Sequence, residues 1–374
     1  MRNLQNGKRV LVVLEAGDAY PSGFLRGLIY KDCFEHDGFE VEYVSRLLPW
    51  LVRILDAPPQ ALSPWFALGF EKVLRWLLAG AGRIKEKLIV RKARDYDVVY
   101  MSKVTSLRLV SKLRGTGARL VLDFGDALWL PGRSSAGFHE VLRSVDAVTT
   151  DNELTAEYVR KLNPNCTVIP DCPQLEWFDR RRSEWHPAEN STITLGWVGT
   201  TGTVYNLYVI WEALERLFPK YPNLHLRLLG LGTNPRLLPP FEKVKYSYRS
   251  SYSQSEMIDE VLGMDIGLFP LQDVEASRVR GVLKATVYMA GQAVAVCSPV
   301  GQCSDLIQDG VNGMLARTPE EWEKKIEELI LNPTLRQQIA QAGLETMRSQ
   351  FTVARSFAKL RKVLDGANGE MQAQ

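Results

Sequence analysis

Short apolar runs alternate with longer amphipathic stretches along almost the whole chain. Lys8 to Leu14, Phe39 to Val44, Tyr96 to Met101, Arg119 to Phe124, Asp146 to Thr150 and Cys166 to Ile169 are short, largely apolar and bounded by Gly, Pro or polar residues. That pattern predicts strands buried on both faces of a parallel sheet. Helical periodicity fills the gaps: through Arg26 and Tyr30 to about Phe34, within 46–94, up to the stretch Lys112 to Arg119, and over Asn152 to Leu162. A second series repeats the pattern, with strands at Thr192 to Val198, Leu224 to Leu229, Ile266 to Phe269 and Ala293 to Cys297. Its helices are expected at Tyr205 to Phe218, Ser253 to Leu262, and through Lys284 and Tyr288 to Gly291, which suits a C′ position. Three further helices follow, Glu320 to Leu331, Thr334 to Ser349 and Thr352 to Leu364, before a polar tail from Gly366. The chain therefore reads as α/β, with two series of βαβ units. The composition changes over Asp171 to Ser191, where Pro173, Arg180 to Arg182 and Pro187 mark an inter-domain linker.

The candidate chemistry gathers at strand ends. After Ile266 to Phe269 and Pro270, the loop to Gly281 carries Asp273, Glu275, Arg278 and Arg280, and Lys284 opens the next helix. In open α/β sheets ligands sit outside the carboxyl ends of the strands, so these cations suit an anionic ligand. Trp197-Val198-Gly199 leads into Gly199-Thr200-Thr201-Gly202-Thr203 and a helix start. Free backbone N–H groups, hydroxyls and the positive helix end make that turn a phosphate cradle. The first strand and loop are Rossmann-like, but no GxGxxG fingerprint is present, so a dinucleotide is not expected. Asp123 and Asp126 stand at another strand end; Asp126 is placed to accept a proton or bind ligand hydroxyls, or to cap a loop, and Asp123 reads as structural. No His or third acid completes a metal cage around them.

Bulk properties narrow the picture. With 374 residues the chain is long enough for two full cores. A net charge of +3 is too small to point to nucleic acid. The cysteines (33, 166, 172, 297 and 303) show no metal spacing and read as reduced, buried thiols of a cytoplasmic protein. The charge is unevenly spread: residues 46–94 hold ten Arg or Lys against three acids, a net of +7 that leaves the remainder at −4. Trp50, Trp65 and Trp76 lie in the same segment, and Phe66, Phe70, Val73, Leu77, Ile84 and Leu88 recur at helical spacing among its cations. Two readings stand: a helix that lies on an anionic membrane surface, or a domain helix whose apolar stripe meets the sheet. No stretch approaches the ~20 apolar residues of a membrane span.

Several phrases resemble family 4 glycosyltransferases of the GT-B type. Asp265-Ile266-Gly267, Pro270-Leu271, Lys284, Tyr288-Met289-Ala290, Ser298-Pro299-Val300-Gly301 and Asp309-Gly310-Val311-Asn312-Gly313 fit the order of the family's C-terminal domain. Asp123-Phe124-Gly125-Asp126-Ala127-Leu128-Trp129 and Asp146-Ala147-Val148-Thr149 resemble phrases of a bacterial branch. Three positions depart: the family's paired glutamates fall on Val279 and Val287, and its diphosphate-binding cation after the glycine turn falls on Tyr205. The resemblance implies a GT-B fold, two Rossmann-like doubly wound domains facing a cleft. It places an N-terminal acceptor domain at 1–180, a donor domain at 191–352, and a helix over 353–374 that returns to the first domain. It implies a retaining, metal-independent transfer from a nucleotide-sugar to a hydroxyl acceptor, a glycan or lipid-linked saccharide, as in polysaccharide biosynthesis, with no cofactor. Arg278 and Lys284, with Asp126, are then the catalytic candidates. Gly199 to Thr203, Tyr205, Glu275 and Arg280 bind the donor, and Gly23 and Arg26 face the acceptor cleft. A GT-B binding protein without turnover is the alternative. A peripheral position on the inner face of the membrane follows if 46–94 lies on lipid.

Overall fold

The computed structural model describes residues 7–56, 64–130, 135–184, 192–232, 238 and 242–366. The chain divides into two compact units, Met1–Pro170 with Val353–Gln374, and Asp171–Thr352. Each is built on a six-stranded, all-parallel sheet.

Unit 1 contains β1 (Arg9–Leu14), α1 (Pro21–Leu25), α2 (Lys31–His36), β2 (Glu40–Ser45), α3 (Pro49–Asp56), α4 (Pro64–Ala93), β3 (Val98–Ser102) and α5 (Leu107–Leu113). It continues through β4 (Arg119–Asp123), α6 (Ser135–Ser144), β5 (Ala147–Thr150), α7 (Glu153–Arg160) and β6 (Cys166–Val168). The strand order is β2-β1-β3-β4-β5-β6. Val10 to Val13, Val98, Val99, Met101, Val121 and Leu122 lose all their exposure, as the uninterrupted apolar runs predict. The single helix expected through Arg26 is broken into α1, a 3-10 turn over Leu28–Tyr30, and α2. The break falls at Gly27, where a Cβ would stand 2.5 Å from Leu14 Cδ2.

Unit 2 contains α8 (Leu175–Glu184), β7 (Ile193–Val198), a 3-10 helix over Thr201–Val209, α9 (Trp211–Lys220), β8 (Leu224–Leu229), β9 (Tyr246–Arg249), α10 (Gln254–Leu262) and β10 (Ile266–Phe269). After these come α11 (Glu275–Arg278), α12 (Leu283–Ala290), β11 (Val294–Cys297), α13 (Cys303–Leu306), β12 (Met314–Leu315), α14 (Pro319–Leu331) and α15 (Pro333–Gln350). The strand order is β12-β11-β10-β7-β8-β9. β9, exposed along its whole length at the sheet edge, has no apolar run, which hides it from a hydrophobicity reading. The stretch read as a linker holds α8, whose Phe178 is buried in a unit 2 core with Ile258 and Val261. At the end of α12 the left-handed residue is Gln292 (φ 62°), not Gly291 (φ −77°). Gly291 is small for another reason: a Cβ there would meet Val261 Cγ1 at 2.5 Å.

The last helix, α16 (Val353–Asp365), packs in unit 1. Phe357 stacks edge-on against Phe34, and Lys8 Nζ donates to the Leu364 carbonyl at 3.1 Å.

Candidate functional site

In unit 2, β7 and β10 are neighbours, while the chain leaves them toward opposite sheet edges. Their carboxyl ends form the topological switch point, where open α/β sheets bind ligands. Three hydrogen-bonded links fix the loops there. Tyr288 Oη accepts from Val198 N at 2.8 Å and donates to the Leu268 carbonyl at 3.2 Å, tying β7 to β10. Asn206, buried, accepts from Gln272 N at 3.1 Å and donates to the Thr203 carbonyl at 3.2 Å. Ser298 Oγ accepts from Leu271 N at 2.9 Å. Sequence reasoning missed Asn206 and Ser298 as site supports; an Asn inside the apolar run Val204 to Ile210 was the signal for the first.

Lys284 lies at this point. Its Nζ is 4.9 Å from the Trp197 ring centre and 5.6 Å from that of Phe269, one ring from each central strand. Its hydrogen bond runs to Thr203 Oγ1 at 3.4 Å, and it forms no ion pair among the described residues. Burial, and then the neighbouring charge of Arg280, push its pKa down to about 7. Arg280 is half-buried. A cation held against aromatic faces with no carboxylate is electrostatically unsatisfied, and an anionic ligand relieves that.

The glycine-threonine turn adopts a tight form. Gly199 N donates to the Leu229 carbonyl and Tyr252 Oη donates to the Gly199 carbonyl at 3.1 Å. A Cβ on Gly199 would lie 2.0 Å from the Trp197 ring, so only glycine lets that ring sit beneath Lys284. Thr200 and Thr203 form a reciprocal capping box. Two of the three threonine hydroxyls thus already donate within unit 2, Thr203 to the Thr200 carbonyl at 3.0 Å and Thr201 to the Leu231 carbonyl at 3.3 Å. This corrects the reading of the Thr201 and Thr203 hydroxyls as free phosphate donors. The N–H groups of Thr201 and Gly202, the first two helical residues, have no partner within the helix and remain as donors.

Arg278 is exposed and donates to Asp273 Oδ1 at 2.7 Å, so it is not the free cation that the sequence suggested. Asp273 is held below its ordinary range by that bond. Glu275 opens the one-turn α11 and is exposed, as is Tyr205. Gly301, at φ +56°, lies against this turn: a Cβ would be 2.2 Å from the Arg278 carbonyl. Val287 is 5% exposed and packs in the core with Tyr288 and Met289, and Val279 is half-buried.

In unit 1 the structure corrects two assignments. Arg26 is the C-cap of α1, only 5% exposed, and both of its forks close on Asp123: Nε to Oδ2 and Nη2 to Oδ1, each at 2.7 Å. Thr149 donates to Asp123 Oδ1 at 2.6 Å and Tyr100 donates to the Arg26 carbonyl at 2.7 Å. Arg26 is therefore half of a buried, saturated ion pair, because Asp123 at the end of β4 needs a partner in the core. Gly23 is a packing glycine: a Cβ would stand 1.8 Å from the Gly17 carbonyl oxygen, so the close approach is to the chain itself. Asp126 is half exposed and ion-paired with Lys103, which has φ 60°.

The basic segment resolves into α3 and α4. The side of α4 that meets the sheet carries Ile89 and Ala93, while Val73, Leu77, Ile84 and Leu88 are exposed, with Trp76 at 75%. The apolar stripe read in the sequence does not meet the sheet. Side chains 64–70, with Trp65, Phe66 and Phe70, lie outside the described residues. Among the described residues, no helix is long and apolar enough to cross a membrane.

Residues 210–362 match the model of a family described as glycosyl transferase-like. No curated protein matches the chain in sequence. The fold is shared with solved structures over nearly the whole length. HepE of Anabaena in complex with UDP aligns with TM-score 0.61 and 15% identity over 96% of this chain and 100% of its own. A glycosyltransferase of Rickettsia africae aligns with TM-score 0.68 and 14% identity, covering 98% and 100%. The sucrose-phosphate synthase of Thermosynechococcus elongatus gives 0.64 and 13%, covering 96% and 100%. The chain thus shares the GT-B fold of these solved structures, and the glycosyl transferase-like match spans most of the unit that holds Lys284.

Proposed function

We propose that the protein moves a glycosyl unit from a nucleotide-sugar to a hydroxyl acceptor, with the donor diphosphate held at the β7–β10 switch point of unit 2. The observation that carries this reading is Lys284, a cation without a carboxylate partner among the described residues, bonded to Thr203 Oγ1 in the turn whose first helical residues are Thr201 and Gly202. As the C1–O bond to the diphosphate breaks, negative charge grows on the leaving group. Lys284, Arg280 and those N–H groups stabilise it. Arg278 joins them when it exchanges Asp273 for the ligand. Tyr205 and Glu275, exposed nearby, contact the donor. The acceptor oxygen bonds to C1 with retention, and its proton leaves to Asp126 once Lys103 has moved aside. Fixed protein cations supply the charge that a divalent metal supplies elsewhere, so the transfer is assigned as metal-independent. HepE, whose structures hold UDP and UDP-glucose, makes uridine diphosphate sugars the first donors to test.

The acceptor is a glycan or lipid-linked saccharide, and unit 1 works at the inner face of a membrane. Support comes from α4, whose exposed side combines cations with Trp76, Leu77, Ile84 and Leu88.

The test is nucleotide release from a panel of UDP-, GDP-, dTDP- and ADP-sugars, with and without lipid extract, for the wild type and Lys284→Ala. Release that needs Lys284 is expected. Binding of a donor with no release under any acceptor condition would leave a binding protein instead.

A further inference from the structure

Between α4, the turn after β2 and the start of α5 lies an open groove of about 470 Å³. Its floor is made shallow by Ala79 and Gly82, and four arginines line it: Arg46 from the turn, Arg75 and Arg83 from α4, and Arg108 from α5. Their pairing is uneven. Arg46 is fixed by Glu15 and by the buried Glu86, at 3.1 Å from the latter. Glu86 also accepts from Ser106 at 2.8 Å, and lies 3.8 Å from Arg108 Nε, beyond hydrogen-bond reach. Arg75 pairs with Glu71 one helical turn away, and Arg83 has no ion pair among the described residues. The groove is thus lined by planar forks of which, among the described residues, Arg83 and most of Arg108 are uncommitted. Guanidinium forks match the oxygens of a phosphate bidentately.

What surrounds the groove identifies the source of that phosphate. Glu71 and Glu86 are the only acids of α4, and both already face arginines. Lys72, Lys87 and Arg91 are exposed on the same helix; Trp76, next to Arg75 in the chain, is exposed at the side of the groove, and Leu77, Ile84 and Leu88 are exposed further round α4. A soluble anion has no use for the exposed apolar side chains of the same helix; a lipid surface has, because rings and aliphatic chains enter the acyl boundary while cations stay at the headgroups.

We propose that this groove binds the phosphate of an anionic lipid headgroup, with Trp76 and the neighbouring apolar residues of α4 entering the bilayer beside it. The proposal rests on the membrane reading above and sharpens it: unit 1 recognises a headgroup, not surface charge alone.

The experiment is flotation of the full-length protein with three vesicle types. They are phosphatidylcholine alone, phosphatidylcholine with phosphatidylserine, and phosphatidylcholine with phosphatidic acid, the last two matched in surface potential. The terminal phosphate of phosphatidic acid is expected to raise retention at least about fivefold over phosphatidylserine, since bidentate forks distinguish it. Arg83→Lys with Arg108→Lys keeps the charge, guards the fold and removes the forks; it is expected to abolish the preference and keep salt-sensitive binding. Trp76→Ser with Leu77→Ser is expected to weaken retention on both anionic vesicles. Equal retention on the two anionic vesicles would overturn the groove and leave the membrane reading standing. No retention on either would overturn both. Inorganic phosphate bound in a manner that the lysine variant abolishes, without vesicle retention, would mean a free-anion site. A dimer lost in the Trp76/Leu77 variant, again without vesicle retention, would mean that the face pairs with a second copy. Nucleotide release without lipid, measured separately, keeps the donor assignment independent of all these outcomes.

Discussion

Lys284 Nζ stands 4.9 Å from the centre of the Trp197 ring and has no carboxylate to pair with among the described residues. Trp197 is buried in β7, and Gly199, two residues on, is the glycine that makes room for its ring. The aromatic faces hold the ammonium in place without neutralising it. A diphosphate then gains a full charge-assisted interaction. Lys284→Ala is expected to weaken nucleotide-sugar binding by about 1.5–3 kcal/mol, the range for hydrogen bonds to charged groups. Titration calorimetry with the donor found by nucleotide release checks this. Unchanged affinity would remove Lys284 from the site.

The same residue sets a pH dependence. Burial lowers the pKa of Lys284 to about 7, whereas an unfolded lysine titrates near ~10.4. Between those values the unfolded chain binds a proton that the folded chain refuses, so stability rises with pH across this window, and the residue adds no slope below pH 7. Lys284→Met is expected to flatten that slope in denaturant titrations at pH 7 to 9. A bound diphosphate reverses the shift, so donor binding at pH 8 is expected to take up about one proton. Calorimetry in buffers of different ionisation enthalpy reads that number directly. Zero uptake in the wild type would show that Lys284 is already charged without ligand.

Val287, where the resemblance in sequence would place a glutamate, is 5% exposed and packed with Tyr288 and Met289. Val287→Glu is expected to bury a carboxylate without a partner and to destabilise unit 2 by about 2–5 kcal/mol. A lowered melting temperature with no gain in donor affinity is the expected pair of results. Tighter donor binding at an unchanged melting temperature would show instead that this position reaches the ribose.

Arg26 and Asp123 form a buried pair with both hydrogen bonds at 2.7 Å. Removing one partner leaves a lone charge in the core, so Arg26→Ala or Asp123→Ala is expected to cost about 3–5 kcal/mol. The double variant Arg26→Met with Asp123→Leu is expected to recover much of that loss. A double-variant cycle in urea measures it. Additive losses would mean that the two side chains act separately and would reopen Arg26 as a ligand-binding residue.

The α/β class and ten of the twelve strands among the described residues were legible in the chain's own pattern, as were the phrases that resemble glycosyltransferases, because fully buried parallel strands must be apolar along their length. Val10 to Val13 and Ile266 to Phe269 are such runs. It could not show β9, whose residues Tyr246 to Arg249 are exposed at an edge, nor the break at Gly27, which depends on where Leu14 lies. The position of Lys284 at a strand end was legible, since only local order fixes it. The roles of Arg26, Gly23 and Arg278 were decided by tertiary structure. A charge is available to a ligand only if no partner takes it, and Asp123, ninety-seven residues from Arg26, is such a partner. The apolar periodicity of α4 was plain in the sequence. Which of its faces meets the sheet was not, because an apolar residue is recorded on both sides of the helix: Ile89 inward and Leu88 outward.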